Sequence, residues 1–553
     1  MKKTKRIASV CMTVAMCSVT AFSAACQASE SLVKDGKTLN VSLLNAGYGV
    51  DYIYEIKTKF EEAFASEGYK LNILTPRAGY SGNVIAQDIA AGSEVDVFFS
   101  ASFNENVLKD FPDVVSDITE SVFNQKPLNF KGEEEGELTV AQKLAQNNFE
   151  YTAYQKADGT YYALPYQKGI RGLAVNTGVL DEYDLEIPKT SNEFFHCYEV
   201  IMAQAAETGV FPITHIATSN NYPCSFTNCW LAQYEGYDWY QQFISFQKKD
   251  GTNLTKDEAV AMFDSDGIEY MLTNMYRALD PNCGTYGSAS QGLEKAQAKF
   301  MNGSCAFMMN GDWMLRETYA SFSDTQRNDI TFVNVPVLSE LGVKVFKDAY
   351  SKTEAECETI LRAIIDEVDK NKSLEEIKTT VDAALSMNIA LEDIEEVAYA
   401  RGYTYMETCD VGAIINPNSE LQDVAALLLR LCASDDGGKV FAKHMYSSSP
   451  FANDYETNRY AWVNSAREIV TSRYFQGVRP EAKGYKKTLH ADFVDLFPRT
   501  GLYVHLAITG EGVSVYNPET LVKVGSEEIY KTSAQALQKT NYDAVKDNYN
   551  DQW

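Results

Sequence analysis

Leu39-Asn40-Val41-Ser42-Leu43 sets Leu39, Val41 and Leu43 on one face and Asn40 and Ser42 on the other, the spacing of a strand. Asn45-Ala46-Gly47-Tyr48-Gly49 breaks it. Ile53, Ile56, Phe60 and Phe64 then recur at helical spacing, and Gly68 stops the helix. Tyr69 to Leu74 reads as a second strand, Asn83 to Ala91 as a helix, and Val95-Asp96-Val97-Phe98-Phe99 as a third, buried strand. This β-α-β-α-β order predicts an α/β fold whose parallel sheet has helices on both faces. Ligands of such sheets bind beyond the carboxyl ends of the strands. Here those ends are the loops Asn45 to Asp51 and Ser100 to Asn104.

Upstream, Met1-Lys2-Lys3-Thr4-Lys5-Arg6 is basic, Ile7 to Phe22 is mostly apolar and uncharged, and Ser23-Ala24-Ala25 are small. That is the layout of an export signal, too short for a typical membrane span. Cys26 after the small residues resembles the lipobox of bacterial lipoproteins, in which the cysteine carries the lipid; Ser23 stands at −3, where an aliphatic residue is usual. Residues 1–25 are therefore expected to be a signal peptide and 26–36 a lipid-anchor tether. Ordinary cleavage to a released product is the competing reading.

The 553-residue chain suggests two or more lobes. Its formal charge of −27 disfavours nucleic acid and anionic lipid, which recruit basic surfaces. Eleven cysteines are too dispersed for a disulfide scaffold; Cys224 and Cys229 are close enough to bridge, and free thiols fit equally.

Farther along, 190–300 reads as mainly helical. Asp264-Ser265-Asp266-Gly267 opens like a calcium loop but lacks the later oxygen ligands, so it reads as a helix start. Ala306 to Met309, Thr331 to Leu338 and Ala413-Ile414-Ile415 read as strands. Ser419 and Gln422 form a capping-box pattern before a helix through Leu421, Val424, Ala425, Leu428 and Leu431 that ends at Asp435-Asp436-Gly437-Gly438. No low-complexity linker separates lobes, which implies that the chain crosses between them several times.

Enzyme motifs are scarce. Gly79-Tyr80-Ser81-Gly82 has the wrong spacing for a nucleophile elbow. The five histidines lack paired-ligand spacing, and no phosphate-cradling loop occurs. No metal or cofactor is expected. A glycosidase needs only two carboxylates, and 76 acidic residues leave that reading open. Aromatics beside small polar residues are more distinctive: Tyr48, Tyr166, Tyr222 and Trp313. Aromatic planes match the C–H face of a sugar ring, and polar side chains match its hydroxyl rim. For each of these residues, core packing is an equal alternative.

Four ordered segments carry a resemblance. They are Asp96 to Ser100; Tyr161-Tyr162-Ala163-Leu164-Pro165-Tyr166 running to Asn176; Phe300 to Trp313; and Gly412 to Ile415 with the helix to Gly437. In this order the chain resembles the extracellular family 1 solute-binding proteins of ABC importers, relatives of maltose-binding protein. The resemblance implies a two-lobed, periplasmic-binding-protein-like fold of type II, with ligand held between α/β lobes that close around it. It places 37–168 plus 306–338 in lobe 1 and 169–305 plus 339–553 in lobe 2, with a helical insertion at about 352–402. It makes Tyr161 to Asn176 the first interlobe crossing and Phe300 to Trp313 the second.

By the same resemblance, Tyr48, Asp51, Ser100 and Ser102 face the cleft with Asp312 and Trp313 beside them. Tyr166, Gln167 and Lys168 lie at the hinge, and Tyr222 and Trp230 come from the second lobe. Trp313 is the first choice for a stacking platform. The implied protein is no enzyme. It is a monomeric, lipid-anchored receptor on the extracytoplasmic face of a bacterial membrane, delivering a carbohydrate to permease subunits. Alternatives are an exported glycoside-active hydrolase and a surface lipoprotein that binds a partner protein or acts as a sensor.

Overall fold

The computed structural model describes residues 31–549 except 46, 48, 77–81, 101–106, 109–110, 112, 147–154, 157–158, 166, 217–221, 407–411, 453–454 and 479–512. The signal, Cys26 and most of the tether therefore lie outside the described residues. Among the described residues no helix is long and apolar enough to cross a membrane.

The opening reading holds. Strand β1 (Thr38–Leu43), helix α1 (Asp51–Ala63), β2 (Lys70–Ile73), α2 (Gly82–Ala90) and β3 (Val97–Ser100) follow in order. β1 pairs in parallel with both β2 and β3. Ile53, Ile56 and Phe60 of α1 are buried, as their spacing demands. The first sheet is completed by β4 (Leu164–Pro165) and β10 (Gly412–Ile415), in the order β2-β1-β3-β10-β4. β10 is antiparallel to both of its neighbours.

A second sheet contains β5 (Ile170–Asn176), β6 (Phe211–Thr214), β7 (Cys305–Gly311), β8 (Ile330–Val333), β9 (Tyr403–Met406) and β11 (Gln476–Val478). Its order is β11-β9-β5-β7-β6, with β8 also on β5. β5 and β7 are buried along their whole length, the mark of a strand covered on both faces.

These ladders divide the strands differently from the expected lobe bounds. β7 and β8, expected in lobe 1, join the second sheet: β7 is hydrogen-bonded between β5 and β6. Phe300 to Trp313 is thus a central strand with its approach, not a crossing. β10, expected in lobe 2, pairs with β3 in the first sheet. The helix Asp435–Met445 packs on α1. The chain crosses where β4 runs into β5 and again where β9 leads to β10. The two crossings are neighbours at both ends, since Pro165 faces Gly412 and Ile170 faces Met406. A third passage, Ser447 to Ser449, lies against them, with Ser448 O accepting from Lys168 N–H at 2.9 Å.

The Ser419 capping box does not form. Ser419 Oγ donates to buried Asp96 at 2.5 Å, and the helix Gln422–Cys432 starts at Leu421 without a side-chain cap. A new helix starts at Asp435, capped by Ser434, where an end was expected. Asp266 does begin a helix, Asp266–Ala278.

The insertion forms helices Glu354–Val368, Leu374–Leu385 and Leu391–Gly402, the first two started by true capping boxes. They dock on the helices Ser339–Phe346 and Cys224–Glu235 beside the second sheet, Lys189 pairs with Asp366 and Asp369, and Arg401 ties the third insertion helix to Asp369 after the first. The tail helix Glu528–Asn548 packs on Asp266–Ala278. Buried Asp280 anchors that tail, accepting from Tyr530 OH at 2.5 Å and Val515 N–H at 3.2 Å. Cys224 and Cys229 do not bridge one another, and both are buried, as are Cys197, Cys283, Cys305, Cys357 and Cys432.

Candidate functional site

The loop after β1 meets the turn after β7, and their meeting point is Trp313. Gly311 leaves room for it: a Cβ there would lie 2.3 Å from Cη2 of the indole. On the other side, a Cβ on Gly47 would approach Trp313 Cδ1 and Glu317 Oε1 to 3.0 Å each. One indole thus touches a loop of the first sheet and a strand of the second, and it keeps 7% exposure.

Arg171 faces Gly311 across one ladder and Tyr405 across the other, so the three share one face of the second sheet. Its guanidinium carbon lies 5.1 Å from the Tyr222 ring centre, 5.8 Å from that of Trp313 and 5.5 Å from that of Tyr405. A cation over aromatic faces is attracted to their π density. The Tyr222 and Trp313 rings are 6.4 Å apart and tilted by 45°. Tyr222 stands just before the helix Cys224–Glu235, where its carbonyl accepts from Ser225 Oγ at 2.8 Å.

The helix Met314–Thr318 closes this corner. Arg316 Nη2 reaches Asp51, in the first turn of α1, at 2.5 Å. The Asp51 side chain is about half exposed, so this tie between the two units is worth roughly 0–1 kcal/mol. Glu317 accepts from Gln297 Nε2 at 2.5 Å. Burial pushes its carboxyl above the ordinary range, against the lowering effect of that hydrogen bond.

Trp313, Tyr222 and Asp51 therefore lie around one corner. Trp230 and Asp312 are bound up in the core, and Gln167 and Lys168 lie in the crossing between β4 and β5. Trp230 is 0% exposed, stacks edge-on against Phe226 and donates its indole N–H to Pro336 O at 2.9 Å, as a core residue does. Asp312 is buried as a clamp: Oδ1 accepts from Ile170 N–H at 3.3 Å, Oδ2 from the Ser447 hydroxyl, and its carbonyl takes the Trp462 indole N–H at 2.8 Å. Lys168 points into the protein, donating to Val470 O at 3.1 Å with its ammonium 4.5 Å from the Phe475 ring centre. Gln167 is buried beside it in sequence. Tyr48, Ser102 and Tyr166 lie outside the described residues, as does the Ser100 side chain, although Ser100 itself ends β3 opposite Gly412.

Sequence reasoning missed Arg171, Tyr405 and Arg316. Arg171 carried a signal, as the charge in the otherwise apolar run Ile170 to Val175. Tyr405 carried none, because the residues after Arg401-Gly402 did not read as a strand. Among the described residues no group of three metal-ligating side chains converges.

The fold has solved counterparts. AcbH, a bacterial solute receptor described as having an exclusive preference for β-D-galactopyranose, aligns over 92% of this chain and all of its own, with 12% identity and a TM-score of 0.52. Ligand-free RafE from Streptococcus pneumoniae aligns over 93% and 100% at 12% identity, with a TM-score of 0.53. The maltose-binding protein MalE from Listeria monocytogenes, solved with maltose, aligns over 94% and 100% at 15% identity, with a TM-score of 0.50. At these identities the likeness establishes the fold. No curated protein matches by sequence. A family model described as bacterial extracellular solute-binding protein matches residues 55–353, more than half of the chain. The chain belongs to the family of bacterial extracellular solute-binding proteins.

Proposed function

We propose that this protein is the binding component of an ABC importer, tethered by lipid at Cys26 to the outer face of the cell membrane as a monomer. It captures a carbohydrate, probed best as an oligosaccharide, between its two sheet units and hands it to a membrane permease. The observation that carries this reading is Trp313, packed between Gly47 of one unit and Gly311 of the other, with Tyr222 and Arg171 beside it. An aromatic ring at such a junction offers a stacking face to a pyranose. Relatives of this fold have been solved with raffinose and with maltose, which supports the substrate class. Asp51, Tyr48, Ser100, Ser102 and Tyr166 remain proposed cleft or hinge contributors. Gln167 and Lys168 remain proposed hinge residues, whereas Trp230 and Asp312 are read as structural.

Calorimetry of the purified protein against galactose, maltose and raffinose tests the substrate class. Binding of at least one is expected, and binding of none overturns the carbohydrate reading. Fatty-acid labelling of the expressed protein tests the anchor: label in the parent and none in Cys26→Ser is expected, and an unlabelled parent overturns it.

A further inference from the structure

The end of β6 carries a second polar feature, away from Trp313. Thr214 closes that strand, and His215 follows it. The turn at 283–291 lies against both, with Thr285 N–H donating to Ile213 O at 3.0 Å. The Thr214 and Thr285 hydroxyls are 2.9 Å apart, and Thr285 and Ser288 are 2.8 Å apart. Gln291 Nε2 donates to Thr214 Oγ1 and to His215 O, each at 2.7 Å. A carbonyl oxygen can only accept, so the His215 contact fixes which end of the Gln291 amide is nitrogen.

Two atoms of this network are left over. Among the described residues, neither His215 Nε2 nor Gln291 Oε1 finds a hydrogen-bond partner, although the residues are 6% and 3% exposed. A buried polar atom without a partner costs about as much as a lost hydrogen bond, so such atoms are ordinarily met by something. Gly284 presses on the imidazole: a Cβ there would sit 3.1 Å from His215 Cδ2 and 3.4 Å from Ser288 Cβ. The ring thus lies beside Ser288, whose Oγ is 3.4 Å from Gln291 Nε2.

The chemistry of the missing partner is constrained. Gln291 Oε1 needs a donor. Burial drives the His215 pKa down to about 4, so the ring is neutral at physiological pH and Nε2 gives or takes one hydrogen bond according to tautomer. A carboxylate has no proton to give Gln291. A cation is disfavoured, because the Lys299 ammonium already lies 3.5 Å from Thr285 Oγ1. A hydroxyl both donates and accepts. β6 also runs parallel to β7, so both strands end at the same edge of the sheet, the edge from which Trp313 projects. That is the edge where α/β sheets take ligands.

We infer that His215 and Gln291 form a subsite for a hydroxyl of an uncharged, hydroxyl-bearing ligand, the second anchor of a molecule whose ring stacks on Trp313. The inference rests on the proposed receptor role and sharpens it to neutral ligands.

The test uses the full-length protein, galactose, maltose and raffinose, and galacturonate as the charged control. With the sugar that binds the parent, Gln291→Met and His215→Leu are expected to raise Kd roughly tenfold or more, and galacturonate to bind no tighter than galactose. Either variant can fail to fold, so a second measurement uses the parent alone. In protein labelled with 15N-histidine, the His215 ring resonance, assigned by its loss in the variant, is expected to move on sugar addition. If a sugar binds but that resonance stays put, and the complex's crystal structure shows water alone between His215 and Gln291, the subsite is overturned while the receptor role stands. If no neutral sugar binds the parent, the carbohydrate reading fails and the subsite falls with it.

Discussion

Trp313 and Trp230 are alike at the level of sequence in that each resembles a family position for ligand contact. The structure separates them. Trp230 lies inside the helix Cys224–Glu235, is fully enclosed, and has its N–H satisfied by Pro336 O. Trp313 lies just past the end of β7, where strand direction brings it to the sheet edge and against a glycine of the other unit. The same side chain is core in one place and junction in the other. What differs is where the strand or helix carrying it ends.

Substitutions can break that contrast. Trp230→Ala empties a core site and is expected to cost about 3–5 kcal/mol of stability, seen as a large drop in the denaturation midpoint. Equal stability to the parent would remove Trp230 from the core. Trp313→Ala leaves less of a cavity and is expected to act on binding, weakening the best-bound sugar by about 2 kcal/mol, near thirtyfold in Kd. A variant that folds and binds as tightly as the parent would take Trp313 out of the site.

Gly311→Ala sharpens the comparison without touching the indole itself. Its Cβ would overlap the ring at 2.3 Å, so the ring must swing away, with about 1–2 kcal/mol lost in stability and weaker sugar binding. Unchanged binding would show that the ring's seat on Gly311 is not needed.

Glu317 gives the smallest effect and a sign. Its carboxyl is raised in the folded protein by burial, so the folded state holds its proton more tightly than the unfolded chain does. Stability from this group is therefore full below the ordinary carboxylate range and falls as pH rises through its folded value. Thermal melts of the parent and Glu317→Gln from pH 4 to pH 7, in steps of about one pH unit, should diverge in that direction by ~1 kcal/mol or less. A constant difference across the range would contradict it.

The first half of the fold was legible because its signals are local. Alternation at Leu39 to Leu43 and the helical spacing of Ile53, Ile56 and Phe60 each specify an element by the face it buries. Sheet membership was not legible, because it depends on pairing across long separations: β7 finds β5 from more than a hundred residues away. The Ser419 capping pattern misled for a related reason, since buried Asp96, far off in sequence, competes for that hydroxyl and wins. Of the site, Trp313 and Tyr222 were readable as aromatics at turns. Arg171 and Tyr405 become neighbours only through the β5 ladders. His215 is one of the five histidines without paired-ligand spacing, and only the unmet Nε2 sets it apart.

The central claim is that solute is held at the junction marked by Trp313 and not elsewhere in the molecule. Fluorine NMR of protein carrying 5-fluorotryptophan tests it directly, with resonances assigned by single Trp substitutions and saturation confirmed by calorimetry. The account predicts that saturating sugar moves the Trp313 resonance and leaves that of Trp230 in place. An unmoved Trp313 resonance in a sugar-saturated protein would contradict it.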